Sequence, residues 1–229
     1  VGILAVTAAG VLAVAACSSG GTTSGNSIKA SGSSAQKNAM TEWINSYQQA
    51  VAGSTIDYQA NGSGAGIQDF INNQTSFAGS DSAIKDADLQ KANQRCGTGP
   101  AINIPMVGGA IVVAFNVPGV EKLNLSSSVV AQIFSGKITK WNAPAIASLN
   151  SGVQLPDATI VQFHRSDSSG TTDNFTKYLQ ASAAKDWTTA PGKDWTAPGG
   201  QGAKGNDGVA SSVKSTPNSN VTGVQGSHA

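Results

Sequence analysis

The run His164-Arg165-Ser166-Asp167-Ser168-Ser169-Gly170-Thr171 puts a cation, an anion and four hydroxyls into eight consecutive residues. The surrounding chain is sparing with charge: 12% of its 229 residues are Asp, Glu, Lys or Arg, and the formal net charge is +1. Arg165 offers a planar fork of N–H donors that suits an oxyanion. A Ser/Gly/Thr run opening a helix adds unpaired backbone N–H groups and the positive end of the helix dipole. Similar small residues stand at Ser33-Ser34, Gly62-Ser63-Gly64 and Ser80-Asp81. Each alone is an ordinary helix cap. Four of them, converging with one arginine, describe a site for a small tetrahedral oxyanion. Asp81 and Asp167 then need a reason, because a carboxylate repels an anion unless that anion carries a proton to give it. Monohydrogen and dihydrogen phosphate carry one at neutral pH, and sulfate does not.

The elements that must position these residues alternate between strand and helix. Met40, Trp43, Ile44, Tyr47 and Val51 fall on one face of a helix capped at Ser33-Ser34 and stopped by Gly53. "STIDYQA" alternates as a strand, "NGSGAG" turns, and "IQDFINNQ" follows as a short helix. "TSFAGSDSAI" predicts a short strand ending at Ser80-Asp81, and "INIPMVGGAIVVAFNV" an apolar strand that bends or crosses at Gly108-Gly109. Ser126–Ser128 cap a helix with Val129, Val130, Ile133 and Phe134 inward, and a second helix starts after Pro144 with Ala145, Ile146 and Leu149. "ATIVQFHR" is a strand that runs into the opening motif, followed by a helix packing Phe175, Tyr178 and Leu179. This order predicts an α/β fold with largely parallel sheets, whose ligands bind outside the carboxyl ends of the strands.

Composition narrows the function further. A net charge of +1 supplies no basic face for nucleic acid. Two cysteines and two histidines without CxxC or HExxH spacing predict no metal site, and nothing in the chain calls for a cofactor. Residues 1–17, "VGILAVTAAGVLAVAAC", have the length of a signal-peptide apolar core and end on small residues before Cys17, as a bacterial lipobox does. Cys17 is then the lipidated residue, and residues 18–30 hold a flexible Gly/Ser/Thr tether. A lipid anchor and a tether place the folded part at the extracellular face of the cytoplasmic membrane. Cys96 is left without a partner.

From about Ser31 to about Val213 the chain resembles the phosphate-binding lipoproteins, the substrate-binding proteins of bacterial phosphate ABC transporters. "SDSSGTTDNF" is similar to their phosphate loop, "GSGAG" and "FAGSD" to two further binding loops, and "IFSGKITKWNAPAI" and "GAKGNDGVA" to stretches typical of the family. The resemblance implies the type II periplasmic-binding-protein fold, two lobes closing on a hinge, with inorganic phosphate between them and membrane permease subunits as partners. It implies ligand roles for Ser34, Ser63, Asp81, Arg165, Ser169, Gly170 and Thr171, with Asp167 orienting Arg165 and the Ala35 amide donating. It divides the chain into lobe 1 at 31–107 and lobe 2 at 108–218. Residues 219–229 depart from the pattern and do not read as the expected strand, so the resemblance implies a truncated or frame-shifted chain with an incomplete first lobe.

Two other functions compete. A secreted phosphatase or serine hydrolase could use a serine of the loop at 166–171 with His164, although the loop is not G-x-S-x-G. On an extended strand His164 points away from Arg165, and neither a metal cluster nor an activated nucleophile is evident. A nucleotide module is disfavoured because "GSGAGI" lacks the third glycine of GxGxxG and no GxxxxGK[ST] occurs. The expectation is therefore binding without catalysis.

Overall fold

A computed structural model of the chain describes residues 27–225, with side chains for 27–220. The leader, Cys17 and the tether up to residue 26 lie outside the described residues. The chain forms two sheets in succession. The first takes β1 (Ser27–Gly32), β2 (Thr55–Gln59) and β3 (Phe77–Gly79), in spatial order β2-β1-β3 and parallel throughout. Right after β1 comes α1 (Lys37–Ala50), and α2 (Ser63–Ile71) joins β2 to β3. Helix α3 (Asp86–Cys96) follows, with Asp86 and Asp88 in its first turn and Arg95 in its last, as the helix dipole favours.

The second sheet has the order β4-β7-β5-β6, built from β4 (Ile111–Asn116), β5 (Val161–Arg165), β6 (Gln201–Ala203) and β7 (Ser219–Gln225). β5 runs parallel to β6 and β7, and β4 lies antiparallel to β7 with a register shift between Val112 and Ala114. Helices α4 (Ser127–Phe134), α5 (Pro144–Ala147), α6 (Gly170–Ser182) and α7 (Gly205–Ser215) surround it. Ser126 caps α4 by accepting from Val129 N–H, and Val129, Val130, Ile133 and Phe134 are all buried, as their spacing predicts.

Packing differs between the two halves. Three apolar clusters fill the second half, around Trp141 with Ile133 and Ile146, around Phe134 with Phe175, Leu179 and Trp187, and around Phe163 with Val209. In the first half, Trp43, Ile44 and Tyr47 of α1 face an open cavity of about 1340 Å³ shared with Ile56, Phe70 and Phe77. Of the α1 stripe only Met40 is buried, and Tyr47 and Val51 are exposed.

Several local expectations are corrected. Helix α2 begins at Ser63, so Gly64 and Gly66 are helical rather than part of a turn. They are small for another reason. A Cβ on Gly66 would lie 2.4 Å from Gly32 Cα, and one on Gly64 would lie 2.2 Å from Ser168 Oγ. The apolar run 102–110 is not strand: pairing starts at Ile111, and Ile102, Ile104, Met106 and Val107 are exposed along the open cavity. Tyr178 is exposed while Phe175 and Leu179 pack. α5 ends at Ala147, before Leu149. β1 starts at Ser27, inside the span assigned to the tether, because it pairs with β2. The segment after Asn218 forms β7 despite its weak pattern, because β4 and β5 flank it on both sides.

Candidate functional site

Both sheets send the carboxyl ends of central strands to one junction. β1 ends at Gly32, whose φ of 144° and closeness to Gly79 leave no room for a side chain: a Cβ would lie 2.0 Å from Gly79 O. That contact turns the chain so that Ser33, buried, faces the end of β3. Ser33 Oγ donates to Asp81 Oδ1 at 2.5 Å. Ser63, at the start of α2, donates to Asp81 Oδ2 at 3.3 Å and accepts from Asp81 N–H at the same distance. Thr171, from the other half of the molecule, also donates to Oδ2 at 3.3 Å. Among the described residues Asp81 makes no ion pair, and the side-chain donors to its carboxylate are all hydroxyls. Tyr58 donates to Ser33 O at 2.9 Å. Burial, and then the Asp81 charge, push its phenol above the ordinary range, which keeps it a neutral donor.

β5 delivers Arg165, which is 2% exposed. Its Nε donates to Asp167 Oδ1 at 2.6 Å, Nη2 donates to Asp167 Oδ2, and Nη1 donates to Asn206 Oδ1 at 2.6 Å. A guanidinium has one further N–H on each terminal nitrogen, and those two remain for a ligand oxygen. Burial alone would raise the Asp167 carboxyl. The Arg165 guanidinium and the Gly205 N–H, 3.0 Å from Oδ1, more than offset it and hold that carboxyl below the usual range. The arginine's charge is thus largely matched by its own aspartate, and the junction attracts anions through oriented donors more than through net charge.

Helix α6 adds its amino end. Ser169 caps it by accepting from Thr172 N–H at 3.3 Å, and Ser169, Gly170 and Thr171 are buried. Gly170 is pressed against the other half: a Cβ there would lie 2.9 Å from Asp81 N, from Asp81 Cβ and from Ser63 Oγ. Further polar contacts tie the halves together. Asn174 donates to Asp81 O at 2.7 Å, Gly64 N–H to Ser168 O at 2.9 Å, and Asn206 N–H to Ser34 Oγ at 3.0 Å. Lys37 and Asp207 form an exposed ion pair at 2.9 Å.

Ser63, Asp81, Gly170 and Thr171 therefore meet directly, and Arg165 and Asp167 pair beside them, with Asp167 Oδ2 against Gly62. Ser34 joins this group through Asn206 rather than through Asp81. The Ala35 amide donates to Ser33 Oγ at 3.1 Å. His164 points to the other face of β5, stacked on Trp195 with ring centroids 5.1 Å apart. Its Nδ1 contacts Arg165 O. No serine of the loop lies among its hydrogen-bond partners. Tyr58, Asn174 and Asn206 carry no site signal in the sequence, and Ser33 is marked there only as half of the Ser33-Ser34 pair, with the ligand role on Ser34. Which of two adjacent serines faces Asp81 depends on the Gly32 turn, and the two asparagines reach the site across the junction. Only the "GAKGNDGVA" stretch flagged the neighbourhood of Asn206. Among the described residues no cluster of His, Cys, Asp and Glu is placed to hold a metal ion, and no helix is long and apolar enough to cross a membrane.

Comparison with known proteins bears on this arrangement. The family model described as the PBP superfamily domain matches residues 18–225. Phosphate-binding protein PstS 3 of Mycobacterium tuberculosis is 46% identical over 231 residues, covering 93% of this chain and 62% of that protein. Its counterpart in Mycobacterium leprae is 48% identical over 192 residues, covering 84% of this chain and 52% of that protein. The chain thus spans between half and two thirds of the length of these curated relatives. A solved phosphate-binding protein from Stenotrophomonas maltophilia superposes with a TM-score of 0.69 at 21% identity, over 86% of this chain and 60% of that one. At that identity the likeness speaks for the fold: a two-lobed type II binding protein, of which this chain carries part.

Proposed function

This chain belongs to the PBP superfamily, and on that premise we propose that it binds inorganic phosphate at the junction of its two sheets, without turning it over, for delivery to a membrane permease. The observation that carries this reading is the state of Asp81. Its carboxylate receives hydroxyls from Ser33, Ser63 and Thr171 and no cation, beside an arginine whose terminal N–H groups are free on one edge. An oxyanion entering there takes donors from Arg165, from the amides and hydroxyls at Ser169, Gly170 and Thr171, and from Ser34, Ser63 and the Ala35 amide once its loop adjusts. One ligand oxygen then faces Asp81, and a proton must lie between the two. Phosphate supplies it. Asp167 serves by holding Arg165 in plane.

The relatives are named as phosphate-binding proteins, which supports the ligand class. Lobe 1 at 31–107 and lobe 2 at 108–218, closing on phosphate, follow from the same reading, as does anchoring by a lipid on Cys17 outside the cytoplasmic membrane. The phosphatase alternative has the weaker geometry, since His164 stacks on Trp195 away from the loop serines. Calorimetric titration of the purified protein with phosphate and with sulfate tests the proposal, together with incubation with a chromogenic phosphate ester. Saturable phosphate binding without sulfate binding and without ester turnover is the expected result. Ester turnover would replace the receptor by an enzyme, and equal affinity for both anions would remove the role of Asp81.

A further inference from the structure

The buried side chain of Asn206 points away from its own helix to Arg165. It is the second residue of α7, inside the helix rather than at its N-cap, which is Lys204, so its side chain is not needed to cap the helix. Instead Asn206 Oδ1 accepts from Arg165 Nη1 at 2.6 Å, and its Nδ2, on a residue 5% exposed, has no hydrogen-bond partner. A buried donor left unmet is a cost that packing alone does not select. The Asn206 backbone N–H meanwhile donates to Ser34 Oγ at 3.0 Å. That hydroxyl carries a single proton, and with a lone pair occupied by Asn206 its proton is turned toward another acceptor. One residue therefore sets the direction of a donor from each half: the guanidinium of Arg165 from β5 and the hydroxyl of Ser34 from the loop after β1. Gly205, just before it, holds Asp167 Oδ1 by its own N–H at 3.0 Å, so the start of α7 grips both members of the arginine–aspartate pair.

We propose that Asn206 is a positioning residue for oxyanion recognition, fixing the rotation of the Arg165 guanidinium so that its free terminal N–H groups face the ligand together with Ser34, and keeping that edge neutral. The proposal rests on phosphate as the ligand, and neutrality is what makes asparagine the fitting residue. An aspartate of the same shape would hold Nη1 equally well but would set a second carboxylate beside Asp167, against an incoming dianion.

The test compares wild type, Asn206→Ala and Asn206→Asp in phosphate titrations from mildly acidic to mildly alkaline pH. It adds nitrogen-15 NMR of the Arg165 side chain in the unliganded proteins. Asn206→Ala should bind phosphate about tenfold more weakly at every pH, the loss of one hydrogen bond to a charged donor. Asn206→Asp should be the weaker binder of the two, with a deficit that grows as pH rises and the ligand becomes a dianion. Rotation about the Arg165 Cζ–Nη1 bond should be slow in wild type and in Asn206→Asp, and fast in Asn206→Ala. A merely structural residue would shift the melting temperature and leave the pH profile of binding unchanged in Asn206→Asp, which overturns the proposal, as does wild-type affinity in both variants. If wild type takes up no phosphate, the phosphate reading fails, while the NMR still decides whether Asn206 restrains Arg165. Should Asn206→Ala not fold, the isosteric aspartate variant carries the test alone.

Discussion

Thr171, in the first turn of α6, and Asp81, just after β3, lie 90 residues apart, and Thr171 Oγ1 donates to Asp81 Oδ2 at 3.3 Å. A hydroxyl has one proton to give. While Thr171 and Ser63 give theirs to Asp81, neither gives it to a ligand. On the phosphate reading, binding is an exchange in which the hydroxyls turn to the ligand and the ligand's own proton replaces them on the carboxylate.

Asp81→Asn should therefore relax the choice between phosphate and sulfate more than it lowers phosphate affinity. A site built around a hydrogen bond can reject an isostere lacking the donor by about 10⁴ to 10⁵. The asparagine amide can turn its NH₂ toward a sulfate oxygen, while phosphate loses about 1 to 2 kcal/mol. Competition titrations of the two anions at fixed ionic strength measure this. Undiminished rejection of sulfate would assign the proton acceptor elsewhere.

Arg165→Ala should have the largest effect of any single side-chain truncation in the site. It strands the Asp167 carboxylate and Asn206 Oδ1 together. Truncating one member of a buried, hydrogen-bonded charge pair costs about 3 to 5 kcal/mol. Phosphate affinity should fall at least about a hundredfold by calorimetry, and a change within twofold would take Arg165 out of the site.

Much of this junction was legible in the sequence. Ser63, Asp81, Gly170 and Thr171 stand where small or hydroxyl residues meet strand ends and helix starts, and that is a local signal. Asn206 has no such signal, because its role comes from Arg165, 41 residues earlier. Gly64 and Gly66 read as a turn although they belong to α2. Their smallness answers to Ser168 and Gly32, contacts that only tertiary structure reveals. The apolar run 102–110 carries a strand's composition, yet β4 begins only at Ile111 and Ile102, Ile104, Met106 and Val107 are exposed, so composition misled.

Gly170→Ala should separate binding from folding. The added methyl meets the Asp81 backbone nitrogen at 2.9 Å, which no rotamer change relieves. The amino end of α6 must then back away from Asp81 and Ser63. Overpacking of this kind costs about 1 to 3 kcal/mol. Thermal melting should show that modest loss, and phosphate affinity should drop by about tenfold or more. An unchanged titration would mean that α6 does not approach Asp81 this closely in solution.

Acid should act through Asp167. Its carboxyl is held below the ordinary aspartate value of about 3.9, so its contribution is complete above that value and is lost as pH falls through the depressed folded-state value. Asp167→Asn lacks the contribution at every pH. The melting temperatures of wild type and variant should therefore differ at neutral pH and converge in strong acid. A constant gap down to the acid limit would mean that the Arg165–Asp167 pair does not titrate as one unit.

Cys17→Ser should move the protein from the membrane fraction to the soluble fraction of cells and leave phosphate affinity unchanged. On the proposed anchoring the lipid sits on Cys17, at least ten residues before β1, so loss of the anchor should not affect the junction. Continued partitioning into detergent would show that the membrane is held by something other than a lipid on Cys17.

The position of β7 sets an order of events during synthesis. It is the last strand of the described chain, and it lies in the interior of its sheet, antiparallel to β4 on one side and parallel to β5 on the other. A ribosome that has made residues 27 to 218 has supplied all three described strands of the first sheet. Of the second it has supplied the β5–β6 pair and a β4 strand without a neighbour. Sheet pairing in that half must wait for seven more residues, Ser219–Gln225, to emerge. Until then β4 and the inner edge of β5 present open backbone to any passing strand, the situation in which nascent chains draw chaperones. The three described strands of the first half emerge early, and the sheet that carries Arg165 becomes continuous only once β7 has emerged.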